Sequence, residues 1–301
     1  MVDALRTPDS RFTDLPGYDF EPHYLEDLAD FDGLRLHHLD EGPREAAQTF
    51  LCLHGQPTWS YLYRKMLPVF TAAGHRVVAP DLFGFGRSDK PIDDLVYTFS
   101  FHRQTLVRFI ERLDLANVTL VCQDWGGLLG LTLPMDMPGR FTRLLVMNTA
   151  LATGDVPLGK GFLDWRAWSN AHPDMDVATL LGRACPHLTQ GERNAYAAPY
   201  PDARYKGGVR RFPNLVPDNP GAEGAAISRR ARDFLGKQWS GQTFMAVGIK
   251  DPVLGPPVMA ALRKIVRNCP PPYAVAEGGH FLQEWGEQVA RQALAHFRSS
   301  R

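Results

Sequence analysis

Short apolar runs alternate along the chain with stretches of helical periodicity. The runs at 49–53, 76–79, 118–123, 143–148, 243–249 and 273–276 are nearly continuous, which predicts strands buried on both faces; 34–39 predicts an earlier, more polar strand. Helices are predicted over 61–73, 101–113, 127–137, 256–266 and 284–297. In the last, Val289, Ala293 and Phe297 recur at i, i+4 and i+8 beside Ala290 and Leu294, forming one apolar stripe. Such alternation predicts an α/β fold, a mostly parallel central sheet with helices on both faces. It breaks off after Thr149. From 154 to 224 the chain is rich in Pro, Trp and Tyr and has no β-rich run. This stretch is expected to be an inserted helical cap over the C-terminal edge of the sheet, between main-domain parts 1–153 and 225–301. No internal repeat or low-complexity tract interrupts the pattern.

Composition narrows the class. A chain of 301 residues buries roughly 75% of its unfolded surface. Apolar content of 44%, charged content of 22% and zero formal net charge are those of a soluble globular protein. No basic stripe supports nucleic acid or an anionic membrane as a partner. The four cysteines are scattered and form no C-x-x-C pair, which favours a reduced chain over a disulfide framework. The polar first ten residues lack the apolar stretch of a signal peptide, and no later run is long enough to span a bilayer. The expectation is a cytoplasmic monomer.

The chemistry starts at Val118-Thr-Leu-Val-Cys-Gln-Asp-Trp-Gly-Gly127. A β-branched run breaks abruptly into two glycines, predicting strand, sharp turn, helix. Small residues two before and two after Asp124, Cys122 and Gly126, meet the steric demand of a nucleophile elbow with Asp124 at its apex. A carboxylate is already ionised at pH 7 and needs no base to attack. It is a weak nucleophile toward a carbonyl but can displace a good leaving group from an sp³ carbon, forming an alkyl ester. The apex therefore points to alkyl halides or epoxides rather than peptides.

An ester on Asp124 must be hydrolysed by water activated by a base. His280, in Glu277-Gly-Gly-His-Phe281 between the last strand and the last helix, would overhang the sheet beside the elbow. Asp251, at the mouth of the preceding strand, is the candidate acid that orients it. The other common place for that acid follows the strand ending at Asn148, which cannot be an anion. The order nucleophile, acid, histidine fits. The glycine loop 53–59 is expected to turn the Gln56 backbone N–H toward the elbow, with Trp125 supplying the second N–H of an oxyanion hole. A departing halide needs donors without repelling lone pairs, such as an indole N–H. Trp125 is fixed beside Asp124, and the cap offers Trp165 or Trp168. An epoxide would instead need a cap tyrosine, from Tyr196, Tyr200 or Tyr205.

These residues resemble haloalkane dehalogenases of the α/β-hydrolase superfamily over essentially the whole chain. The resemblance rests on Leu5-Arg-Thr-Pro-Asp-Ser-Arg-Phe12, His54-Gly-Gln-Pro-Thr-Trp59, Ala79-Pro-Asp-Leu-Phe-Gly-Phe-Gly-Arg-Ser-Asp-Lys-Pro91, Gln123-Asp-Trp-Gly-Gly127, Gly161-Phe-Leu-Asp-Trp165, Lys250-Asp251 and Gly278-Gly-His-Phe281. It implies Asp124 as nucleophile, His280 as base, Asp251 as its acid, and Trp125 with Trp165 as halide donors, acting on a small haloalkane. The family's usual His-Gly-Glu-Pro motif carries Gln56 here. Phe162, Leu128, Phe212, Pro213, Val216 and Leu254 are expected to wall the pocket. The alternatives are an epoxide hydrolase and, more remotely, a non-catalytic ligand-binding protein.

No cofactor or metal is expected. Gly84-Phe-Gly86 begins like a dinucleotide fingerprint, but Asp89 occupies the third glycine's place, so a structural loop is expected. His37 and His38, adjacent on one strand, face opposite sides and cannot share a metal.

Overall fold

The computed structural model describes residues 2–299. Its strands are β1 (Ala4–Leu5), β2 (His23–Leu25), β3 (Leu36–Glu41), β4 (Thr49–Leu53), β5 (Arg76–Pro80), β6 (Lys90–Pro91), β7 (Val118–Gln123), β8 (Phe141–Met147), β9 (Gln242–Gly248) and β10 (Tyr273–Val275). Its α-helices are α1 (Leu67–Ala72), α2 (Phe99–Arg112), α3 (Trp125–Gly130), α4 (Lys160–Ala171), α5 (Val177–Ala184), α6 (Gln190–Ala197), α7 (Gly207–Leu215), α8 (Ala225–Lys237), α9 (Pro256–Ile265) and α10 (Gly286–Ser299).

Eight strands form one sheet in the order β10-β9-β8-β7-β4-β5-β3-β2. Pairing is parallel from β10 to β5 and antiparallel at β5–β3 and β3–β2. Every residue of β4 and β7 is buried. Helices cover both faces of a parallel sheet, so its central strands are buried along their length and mostly apolar rather than alternating. Leu53 pairs with Cys122, and Gln123 pairs with Met147. The C-terminal ends of β4, β7 and β8 are therefore level, and the loops leaving them meet on one edge. β1 and β6 form a separate antiparallel pair.

Several element boundaries depart from the expected pattern. The helix expected over 127–137 ends at Gly130 and continues as turns. Pro134 has no N–H to bond the Gly130 carbonyl, and its ring would clash there. The helix expected over 61–73 divides into a 3₁₀ turn at Ser60–Tyr63 and α1, with Pro68 in the first turn of α1. The early strand is shifted to Leu36–Glu41.

Helices α4 to α7 occupy 160–215, inside the stretch expected to form the cap. One buried polar cluster fastens this region to the sheet domain. The Arg64 guanidinium donates to Glu284 at 2.6 and 3.0 Å and to Glu192 of α6 at 2.8 Å. Tyr196 of α6 also donates to Glu284. Trp59 Nε1 donates to the Ala195 carbonyl at 3.2 Å. His37 Nδ1 pairs with Asp81 at 2.7 Å, whereas His38 packs on Phe109. Among the described residues no helix is long and apolar enough to cross a membrane.

Candidate active site

β7 ends at Gln123 and α3 starts at Trp125, leaving one residue for the turn. That residue, Asp124, has φ +51° and ψ −128°. A non-glycine residue held there costs on the order of 1–3 kcal/mol and must be over-determined by its surroundings. Its N–H donates to the Asn148 carbonyl at 3.0 Å. Its carbonyl accepts from the Gly127 and Leu128 N–H groups and, at 2.7 Å, from Thr149 Oγ1. The flanking glycines are steric requirements. A Cβ on Gly126 would lie 2.0 Å from the Leu53 carbonyl oxygen, and one on Gly55 would lie 2.1 Å from Asp124 Oδ1. The carboxylate is thus pushed up at the sheet edge, 16% exposed.

His280 and Asp251 meet it there. His280 Nδ1 lies 3.0 Å from Asp251 Oδ2, and His280 Nε2 lies 3.5 Å from Asp124 Oδ2. The second distance exceeds an ordinary N–H···O hydrogen bond, so the imidazole is anchored on Asp251 rather than tied to the elbow. Asp251 is buried and densely supplied with donors. Asn148 Nδ2 donates to Oδ2 at 2.7 Å, and the Val253 and Leu254 N–H groups donate to Oδ1 at 2.8 and 3.1 Å. Burial alone would raise its pKa. The charge of His280 and these hydrogen bonds outweigh burial and hold it down to about 2. Burial pushes His280 down, but the Asp251 and Asp124 carboxylates outweigh it and pull its pKa well above the usual histidine value. Asn148, an amide, cannot be the acid. Its amide instead bridges the Gly248 N–H and Asp251, a supporting role that only tertiary contact reveals.

The loop after β4 supplies the expected backbone donor, since the Gln56 N–H donates to Asp124 Oδ1 at 2.9 Å. Trp125 opens α3, so its N–H has no acceptor within the helix. The Gln56 side chain turns away from Asp124 and donates through Nε2 to the Val209 carbonyl of α7 at 3.1 Å. It links the loop to the cap region.

Asp124, His280, Trp125 and Trp165 line one cavity of about 1190 Å³. Of the predicted wall residues, Leu128, Phe162, Pro213, Val216 and Leu254 line it. Phe212 does not. It is fully buried behind the wall, its ring 4.5 Å from that of Trp125 and 4.6 Å from His102. On α7 it is adjacent in sequence to Pro213, and neighbouring positions on a helix point to different sides. Trp168 is also absent from the wall and stacks on Trp165 at 5.5 Å. Trp285, which the sequence reading did not single out, does line the cavity.

The indole partners sort the tryptophans. Trp59 and Trp239 donate their N–H groups to Ala195 and Thr243. Among the described residues, no protein acceptor pairs with the indole N–H of Trp125, Trp165, Trp168 or Trp285, and of these four Trp125, Trp165 and Trp285 line the cavity. The tyrosines that an epoxide would need are committed elsewhere. Tyr196 donates to Glu284 and Tyr200 to the Pro57 carbonyl, and no tyrosine is among the described residues lining the cavity.

A family model described as alpha/beta hydrolase fold matches residues 48–287. A haloalkane dehalogenase from Psychrobacter cryohalolentis is 48% identical over 95% of each chain. Haloalkane dehalogenase 1 from Mycobacterium tuberculosis H37Rv is 42% identical over 98% of each. A haloalkane dehalogenase from Paraglaciecola agarilytica NO2, solved as a tetramer, superposes with a TM-score of 0.96 at 52% identity and 98% coverage of both chains. With such identity along nearly its entire length, this chain belongs to the haloalkane dehalogenase family of the alpha/beta hydrolase fold.

Proposed function

We propose that the protein hydrolyses the carbon–halogen bond of a haloalkane through an alkyl ester on Asp124. The observation that carries this reading is a carboxylate raised into an apolar cavity lined by tryptophans, Trp125 and Trp165 among them, whose indole N–H groups have no protein acceptor among the described residues. Gln56 holds Oδ1, which leaves Oδ2 as the attacking oxygen. Oδ2 bonds to the halogen-bearing carbon, and the halide departs with the bonding electrons toward Trp125 and Trp165. Oδ1 is then the ester carbonyl oxygen, already at a backbone donor. Water adds to that carbonyl carbon while His280 Nε2 takes its proton and Asp251 holds the imidazolium. Charge growing on Oδ1 is met by the Gln56 and Trp125 N–H groups, each such donor contributing about 2.7–4 kcal/mol. Collapse releases the alcohol and restores the carboxylate, so haloalkane and water yield alcohol, halide and a proton.

The cavity supports a substrate extending several carbons beyond the reacting one, since drug-sized ligands occupy roughly 300–1,000 Å³. Residues 154–224, read as the cap, would roof it. The cytoplasm is the compartment we favour, because all four cysteines are free and buried. The chain is read as a monomer, supported by how few large apolar side chains are exposed among the described residues. Light scattering that returned the mass of four chains would instead match the tetrameric relative.

The test is bromide release from 1-bromoalkanes of two to eight carbons, beside diol release from styrene oxide. Each buried methylene contributes about 0.8 kcal/mol, so kcat/KM should rise roughly fourfold per carbon until the cavity wall is met. Diol without bromide would make the protein an epoxide hydrolase.

A further inference from the structure

Gln123 is the last residue of β7, is fully buried, and immediately precedes Asp124. Its side-chain amide nitrogen donates to the His280 backbone carbonyl at 3.0 Å and lies 3.1 Å from His280 Nε2. The carbonyl fixes which way the amide faces, because a flip would set Gln123 Oε1 against another acceptor. Gln283 Nε2, 3.5 Å from Gln123 Oε1, favours the same orientation. The base nitrogen therefore meets a hydrogen-bond donor.

We infer that Gln123 is a positioning residue that keeps His280 Nε2 unprotonated once Asp124 is esterified. A ring nitrogen facing an amide N–H is favoured with its lone pair outward. Protonation would set N–H against N–H. Hydrogen bonding to the neutral form of a group opposes its charged form. The two carboxylates facing the ring act on different nitrogens. Asp251 accepts a hydrogen bond from Nδ1–H in either state and favours the imidazolium, and in the free enzyme Asp124, 3.5 Å from Nε2, adds to that preference. Of the other charges around this segment, Glu277 pairs with Lys250 and Glu284 with Arg64 and Lys65, while Arg183 and His187 line the same cavity. Alkylation removes the charge of Asp124, and Gln123 is then the protein's polar partner at Nε2. His280 is then held unprotonated against the pull of Asp251, and the attacking water replaces the Gln123 N–H at the single Nε2 lone pair when the base acts.

This inference rests on the proposed ester mechanism, and the two fail differently. The experiment is a rapid-quench single turnover of a bromoalkane by wild type, Gln123→Met and Gln123→Glu, following bromide and the alkyl-enzyme across pH. Both variants should still release about one bromide per enzyme in the burst. Decay of the ester should lose its base at higher pH, the acid limb moving up by about one unit, tenfold in proton concentration, in Gln123→Met. The shift should be larger in Gln123→Glu, which places an anion at Nε2. Unchanged acid limbs beside an intact burst would overturn the role of Gln123, whereas absence of the burst and adduct in wild type would overturn the ester reading itself. A second measurement avoids substitution at 123. In Asp124→Asn, where the apex charge is also gone, ¹⁵N NMR should show His280 neutral with its proton on Nδ1 at pH 7.5. An imidazolium there would equally overturn the inference.

Discussion

Replacing His280 by Phe separates the two proposed chemical steps, and the structure sets the expected size of each effect. Phenylalanine keeps a planar ring but removes Nε2, 3.5 Å from Asp124 Oδ2, and Nδ1, 3.0 Å from Asp251. Asp251 keeps three donors, from Asn148, Val253 and Leu254. The fold should therefore lose only the charged hydrogen bond to the imidazole, about 1.5–3 kcal/mol, and persist. Asp124 needs no base to attack, so alkylation should proceed. Hydrolysis of the ester should slow by about 10²–10⁴-fold, the usual contribution of a general base. From a typical turnover near 10 s⁻¹, that leaves an ester lasting roughly seconds to minutes. Quenched-flow ion chromatography should record a burst of about one bromide per enzyme. Intact-mass spectrometry of the quenched sample should show the added alkyl group, mapping to the peptide that contains Asp124. A serine-type mechanism predicts no burst, because there the base is needed to form the intermediate. Multiple turnover at wild-type rate, or an adduct on another residue, would refute the reasoning.

Trp165→Phe removes the indole N–H of a cavity-lining residue and keeps an aromatic ring against Trp168. Halide affinity, followed by tryptophan fluorescence quenching, should drop roughly 10- to 100-fold, equivalent to about 1.5–3 kcal/mol; unaltered quenching would move the role to Trp285. Gln56→Glu keeps the backbone donor to Asp124 but sets a carboxylate against the Val209 carbonyl. The expected result is a loss of at least 1–3 kcal/mol in stability by denaturant unfolding, with kcat changed less than tenfold, and a collapse of kcat with normal stability would contradict it. Asp251, lowered to about 2 from 3.8 in the unfolded chain, contributes stability that is present above pH 4 and lost as pH falls toward 2. Acid titration of unfolding should show this contribution in wild type and not in Asp251→Asn.

What the sequence determined by itself is what local sterics and strand burial dictate. The runs ending at Leu53, Gln123 and Met147 are mostly apolar and mostly buried because central parallel strands are covered on both faces, so their order and character are legible without coordinates. The elbow was equally legible from the small residues Cys122 and Gly126 on either side of Asp124, and a Cβ on Gly126 would strike the Leu53 carbonyl, whereas the need for Gly55 against Asp124 showed only in the fold. Where secondary structure turned on tertiary contacts or a single proline, as in the 127–137 segment, periodicity misplaced the boundary. The wall of the cavity belonged to the tertiary structure alone. Whether Phe212 faces the substrate or backs Trp125 depends on the rotation of α7, fixed by packing against Phe85 and His102. Asn148 and Gln123 were equally silent in the sequence. Their amides gain meaning only because β8 carries one to Asp251 and β7 the other to His280, residues 103 and 157 positions away along the chain. A hydrogen bond depends on distance and direction in space, and those are properties of the folded chain that no local pattern encodes.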